Sequence, residues 1–218
     1  MRTLIASDLH ANLEAVDALP RDFDRLWVLG DLVNYGPNPV EVVDFVRQHA
    51  SLVVRGNHDH SIAYDEDPRC SAPFRSMAEE TRRFTRSVLS EEARAYLRSL
   101  PLTAMAESGG LRALLCHAAP GDLYEYRKAD SERWTEEAID AGVGIRRPHA
   151  PALPAHRGQS PGSESRQRGW QDGRITLQSA PYDSERTIAK LARLPLSAPV
   201  ISGLAQVLRM AAAPTTIG

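Results

Sequence analysis

The chain has 218 residues, 42% hydrophobic and 25% charged, which is enough apolar material for one sizeable core in a single domain over residues 1–218. A formal net charge of −2 excludes a general electrostatic pull toward nucleic acid or acidic membranes, and two cysteines exclude a disulfide scaffold. Arg2 leads straight into a strand and no apolar run approaches about 18 residues, so a cytoplasmic protein without signal peptide or membrane span is expected.

In chain order, the short apolar runs 3–6, 26–29 and 52–54, each bounded by Asp, Gly or Arg-Gly, read as buried parallel strands. Between them, Leu13, Val16 and Leu19 share one side of a crossover helix over 12–19. Pro39 opens a second helix whose broad apolar face carries Val42, Val43 and Val46. Residues 62–102 form a small helical insertion, with one amphipathic helix over 74–89 and another beginning at Ser90-Glu-Glu-Ala93. Its plain role is packing at the sheet edge; its functional role would be a lid over the cleft. A second sheet follows over 103–106 and 111–116, ending at His117. Residues 146–169 hold four prolines before Arg168 and one large aliphatic residue, Leu153, so an irregular segment is expected there. Residues 170–218 then read as a strand over 173–178, a Pro181-Tyr-Asp183 turn, a helix from Ser184 and another over 200–210.

Three strand ends carry the chemistry: Asp8-Leu9-His10, Gly30-Asp31 and Gly56-Asn57-His58-Asp59. The loops at the carboxyl ends of parallel strands line the functional crevice of an open α/β sheet. Carboxylates, imidazoles and an amide converging there make a divalent-metal site, and Asp31 is the natural bridge between two ions. The mixed donor set suits Mn, Fe, Zn, Co or Ni rather than Ca.

These motifs, together with His117 at a later strand end, resemble the calcineurin-like metallophosphoesterase superfamily. The stretches Val28-Leu-Gly-Asp-Leu-Val-Asn-Tyr-Gly-Pro37 and Val54-Arg-Gly-Asn-His-Asp-His60 are most similar to its small prokaryotic phosphodiesterase branch. The likeness is dense from Met1 to about Tyr126 and resumes from Trp170. It implies a four-layer α/β/β/α sandwich and two divalent cations. By the resemblance, Asp8 and His10 bind one ion, Asp31 bridges, and Asn57 and His117 bind the other. His58 would assist the leaving oxygen, Asp59 would orient its ring, and a metal-bridging hydroxide would attack phosphorus. The implied function is hydrolysis of a small phosphate ester, as a phosphodiesterase, with a homo-oligomer admitted.

The family's last motif, Gly-His-x-His, does not stand in this chain. His149 aligns with its first histidine as a further metal ligand, Pro151 occupies the place of the second, and His156 lies beyond. A coding stretch for Gly-His-Thr-His-Leu-Pro-Phe-Leu-Arg-Thr, read two bases later, yields Pro-His-Ala-Pro-Ala-Leu-Pro-Ala-His, which is the sequence of residues 148–156. A frame-shifted motif is therefore one account of the segment, and resequencing the coding DNA tests it. The loss predicts one weakened metal site, and sets against the enzyme a second reading: an impaired member that binds metal or a phosphate-containing ligand without efficient turnover. Asn34 and Arg55 flank the motifs as substrate contacts, with Tyr35 beside them. His49 and His60 read as solvated or supporting groups, Cys116 as a small buried hydrophobe, and Cys70 as a free thiol in a Pro-flanked loop.

Overall fold

The protein is described by a computed structural model covering residues 1–108, 111–125, 164–171 and 174–210. Strands β1 (Arg2–Ala6), β2 (Arg25–Val28) and β3 (Ala50–Val53) are the expected parallel set. Between them run α1 (Leu13–Asp17) and α2 (Pro39–His49). The side chain of Asn12 caps α1 by accepting from the Ala15 amide at 3.2 Å, satisfying a donor that the first turn leaves open. Pro39 sits where its missing N–H costs nothing.

Alternation along the strands sorts the core into two layers. Leu4, Ala6, Leu26 and Val28 face the helices and pack with Val16, Val42, Val43 and Val46. Ile5 and Trp27 face the other way and pack with Ala113 and Leu115. The latter belong to the antiparallel pair β4 (Thr103–Ser108) and β5 (Leu111–Cys116), the second sheet. Helix, five-stranded sheet and two-stranded sheet are thus three layers of the expected sandwich among the described residues.

Three differences from the sequence reading stand out. Helix α3 (Asn57–Tyr64) begins inside the third motif, where no helix is expected from periodicity, because Asp59 accepts from the Gly56 amide at 3.0 Å and caps the first turn. The second helix of the insertion, α5 (Glu91–Ser99), is part of the main core: Leu97 and Leu100 lie with Val28 and Ile62. The first, α4 (Arg75–Val88, after a 3-10 turn at Ala72–Phe74), packs instead toward the chain's end.

The third difference is a correction. The segment 146–169 was expected to be irregular, yet β6 (Glu164–Gln171) starts within it and pairs antiparallel with β1 from Arg2 to Ala6. It also pairs with β7 (Arg174–Pro181), giving the order β3-β2-β1-β6-β7. Its polar sequence has no strand pattern, but a main chain paired on both sides satisfies its amides and carbonyls whatever the side chains, and tertiary pairing overrides propensity. Pro181, expected in a turn, closes edge strand β7, where a missing N–H is tolerated. Helices α6 (Ser184–Leu191) and α7 (Ala198–Met210) follow, and Ile188, Leu191, Leu204 and Leu208 pack with Met77 and Ala78 of α4. Residues 148–156, with His149 and His156, lie outside the described residues. Among the described residues no helix is long and apolar enough to cross a membrane.

Candidate metal centre

The loops after β1 and β2 are joined main chain to main chain: the amides of Asp8, His10 and Ala11 donate to the carbonyls of Gly30, Asp31 and Leu32 at 3.1, 2.8 and 2.7 Å. To run side by side they adopt conformations that L-residues avoid. Asp8, His10, Ala11, Asp31, Asn34 and Tyr35 all have φ between 44° and 75°, and such strain clusters at functional sites. The third loop comes equally close. A Cβ on Gly56 would collide with the side chain and amide of Asp31, so only glycine fits there.

Asp8, His10 and Asp31 each offer a ligand atom, all within 4.8 Å of one another. His10 Nε2 lies 3.8 Å from Asp8 Oδ1 and 3.8 Å from Asp31 Oδ2. His117 Nε2 lies 3.2 Å from the same Asp31 oxygen. Each histidine donates its Nδ1–H to a carbonyl, His10 to Val33 at 3.3 Å and His117 to Leu29 at 2.7 Å. That bond orients the ring and turns Nε2 to the centre, which is how metal-binding histidines are held. The Asn57 amide is oriented by Nδ2 donating to Pro68 O at 2.8 Å. The donor set and its outer bonds fit divalent cations.

Charge in the centre is concentrated on one carboxylate. Burial alone would raise Asp31, but the imidazoles of His117, His58 and His10 outweigh it and hold the carboxyl far below the usual range. Burial alone would lower His117, yet its contact with Asp31 pushes it up to about 10. Both shifts favour a protonated His117 beside a charged Asp31, and a cation held there would compete with that proton. Burial brings His58 down to about 4 despite Asp31 nearby.

Three expected roles need correction, those of Asp59, Asn34 and Arg55. Asp59 does not orient His58: it is fully buried, its Oδ2 accepts from the amides of Asp31 (2.8 Å) and Gly56 (3.0 Å), and its Oδ1 accepts from Leu32 (2.8 Å). It ties the second loop to the third, with burial and the charge of Asp31 pushing its carboxyl up to about 7 against those amides. The group on His58 Nδ1 is Asn34 Nδ2, at 2.8 Å. Asn34 was expected to meet substrate, but it is 0% exposed and its whole amide is engaged inside the protein.

Arg55 likewise turns inward, donating from Nη1 to Arg98 O at 2.8 Å and Tyr64 Oη at 3.2 Å. His60 faces Glu66 at 3.4 Å, and His49 stacks on Phe45 at the end of α2. Cys116 is half-buried, not buried, with Sγ 3.5 Å from Ala118 O.

Sequence reasoning missed Cys70 and Thr81. Cys70 Sγ stands 3.6 Å from His58 Nε2 and 3.2 Å from Tyr35 Oη, and burial raises its thiol. Tyr35 itself is buried edge-on against His10, with ring centroids 5.0 Å apart. Nothing in the local pattern marks these contacts, because loop 65–71 and α4 arrive from elsewhere in the chain.

The sequence profile of calcineurin-like phosphoesterases matches residues 1–178. An uncharacterised protein of Methanocaldococcus jannaschii is 33% identical over 129 residues, covering 56% of this chain and 52% of that protein. A symmetrical bis(5'-nucleosyl)-tetraphosphatase of Aromatoleum aromaticum is 37% identical over 111 residues, covering 49% of this chain and 38% of the enzyme. The chain thus spans about half, or less, of the length of these curated relatives. Among solved structures, a metallophosphoesterase from Sphaerobacter thermophilus superposes with a TM-score of 0.71 at 24% identity, covering 95% of this chain and 99% of that one. A hypothetical protein from Pyrococcus horikoshii gives 0.71 at 19% identity, covering 93% and 97%. At these identities the two structures establish a shared fold.

Proposed function

This chain belongs to the calcineurin-like phosphoesterase family, and from that premise we propose that it is a metal-dependent phosphodiesterase acting on a small phosphate ester. The observation that carries the reading is the convergence on Asp31. Asp8, His10 and His117 converge on its carboxylate, in loops whose left-handed backbone conformations are of the kind that cluster at functional sites. Asp8, His10 and Asp31 would hold one cation, and Asp31, Asn57 and His117 the second, with His149 as a further ligand from sequence.

Bound there, such ions supply Lewis acidity to the phosphoryl oxygens and make a water acidic enough to attack at neutral pH. The protein's own contribution is positional. Asp31 keeps its charge because it is held so far below its usual range. His117 would offer Nε2 to a bound ion, its Nδ1–H held by the Leu29 carbonyl. His58, whose backbone amide donates to Asp31 Oδ1 at 2.9 Å, stands beside the centre and would assist the leaving oxygen. We further propose that the Asp8 and His10 side is the weaker one, because Pro151 stands where the family's last histidine is expected.

The test measures metal content per chain after dialysis and turnover of bis(p-nitrophenyl) phosphate and a dinucleoside tetraphosphate with Mn²⁺. Fewer than two retained ions are expected. Asp31→Ala should lose both metal and turnover. His58→Ala should keep its metal and lose about 10²–10⁴-fold in kcat. Equal loss of metal in the two variants would overturn the division of roles, and no turnover with full metal content would overturn the enzyme reading.

A further inference from the structure

Asn57 and His117, assigned above to one cation, sit on segments that meet again beyond the centre. After α3 the chain turns back through residues 65–71. Ser61, buried at the end of that helix, donates its hydroxyl to the Glu66 carbonyl at 2.5 Å, and its own carbonyl accepts the Glu66 amide at 3.2 Å. Further along, Pro68 offers the carbonyl that takes Asn57 Nδ2 at 2.8 Å. A carbonyl can only accept, so this bond selects the amide nitrogen. A cation takes an amide through its oxygen, and where that oxygen stands follows from where Pro68 stands.

Arg69 comes next, in the left-handed region at φ 54°, its amide donating to Asp67 Oδ1 at 2.7 Å. Its guanidinium carbon lies 4.3 Å from the centre of the Tyr124 ring. Tyr124 ends the turn that follows His117. There Ala119 and Asp122 exchange both main-chain hydrogen bonds at 3.1 Å, and Asp122 Oδ1 accepts the Tyr124 amide at 2.7 Å. Ala118, Ala119 and Leu123 are buried, so the turn that presents the ring is itself held. The Tyr124 hydroxyl oxygen is buried with no hydrogen-bond partner among the described residues. What this side chain contributes is therefore the face of its ring.

We propose that Arg69 and Tyr124 brace the two ligand-bearing segments against each other and, through Pro68 and Asn57, set the grip on the cation shared with His117. Both are positioning residues, and neither is assigned as a ligand. A guanidinium over an aromatic face is attracted by the ring's quadrupole, and among the described residues no ion pair draws Arg69 elsewhere. The consequence for the ion rests on the assignment of Asn57 and His117 to one cation, whereas the brace does not.

Arg69→Met and Tyr124→Leu each remove one half of the contact. With Co²⁺ as the probe, either variant should hold the ion that survives dialysis about 10-fold more weakly, with a changed visible spectrum. The urea midpoint of the metal-free protein should hold. The double variant should bind no more weakly than either single one, because both break the same contact. Tyr124→Phe keeps the ring face and loses only an unbonded hydroxyl, so it should bind Co²⁺ as the wild type does, and Arg69→Lys, which keeps a cation, should recover most of the loss. In ¹⁵N spectra of the metal-free protein the Asn57 side-chain NH₂, identified by its loss in Asn57→Asp, should shift and exchange faster with water in Arg69→Met and Tyr124→Leu. Wild-type Co²⁺ affinity in the single variants overturns the proposal, as do losses that add in the double variant or a Tyr124→Phe as weak as Tyr124→Leu. So does an unchanged Asn57 amide, or a fall in the metal-free urea midpoint that matches the loss of Co²⁺, which would reduce the pair to packing. If the wild type itself holds no Co²⁺, the amide signals still decide the brace and the failure belongs to the metal assignment.

Discussion

On one side of β1 the loops after three parallel strands are bonded amide to carbonyl and through the buried carboxylate of Asp59. On the other side the hairpin β6–β7 pairs with β1 along the strand, and α6 attaches through side chains. Lys190 Nζ contacts Glu14 Oε1 at 2.6 Å and Asn38 Oδ1 at 3.1 Å. The Thr187 hydroxyl lies 3.1 Å from Asn12 Oδ1 and 3.2 Å from Glu14 Oε2, while Asn12 Nδ2 donates to Tyr182 Oη at 2.9 Å. The first side is strained and closely tied, because each bond fixes a main-chain position beside a candidate ligand. The second side is a buttress. It clamps the start of α1, four residues beyond Asp8, without supplying a donor to the centre among the described residues.

The comparison breaks most visibly at Gly56. Gly56→Ala puts a methyl group on Asp31 and should cost about 3 kcal/mol together with metal retention, read from the urea midpoint and from metal content after dialysis. A variant with the wild-type midpoint and full metal would show that the loops can separate after all, and the contrast with the buttress would lapse.

Lys190→Met tests the other side. It leaves the buried Glu14 with Arg186 at 3.5 Å as its remaining cation among the described residues and should lower stability by about 1–2 kcal/mol. Metal content and activity per folded molecule should not change. Metal loss in this variant would mean that the buttress shapes the centre directly.

The smallest expected effect is the pH dependence of the metal-free protein. His117 rises from 6.5 to about 10 on folding, so its contribution is complete below about 6.5 and fades as pH climbs through 10. His58 falls from 6.5 to about 4, so its contribution is complete above about 6.5 and fades as pH drops through 4. Urea midpoints should therefore peak near neutrality, with His117→Gln flattening the alkaline limb and His58→Gln the acid limb. A metal-free His117→Gln protein with the wild-type alkaline limb would overturn the protonated His117 beside Asp31.

Much of this was legible in the chain itself. Strand ends bearing Asp8, His10, Asp31, Asn57 and His117 are short-range patterns, and parallel strands bring their carboxyl ends together by geometry alone. Unbroken apolar runs in β1 and β2 announced buried strands, and Pro39 and Ser90 announced helix starts, because these signals depend on neighbours within a few residues. The partners of Asp59, Asn34 and Cys70 could not be read this way. An Asp one residue after His58 looks like its orienting group, yet main-chain amides from Asp31, Leu32 and Gly56 claim both oxygens. Asn34 meets His58 and Thr81 across 24 and 47 residues. Strand β6 is the extreme case, since residues with no strand pattern pair in the middle of the sheet. A side chain's type and its local period are written in the sequence. Which buried donor ends up facing which acceptor is settled only when distant segments close on each other and every polar group must find a partner.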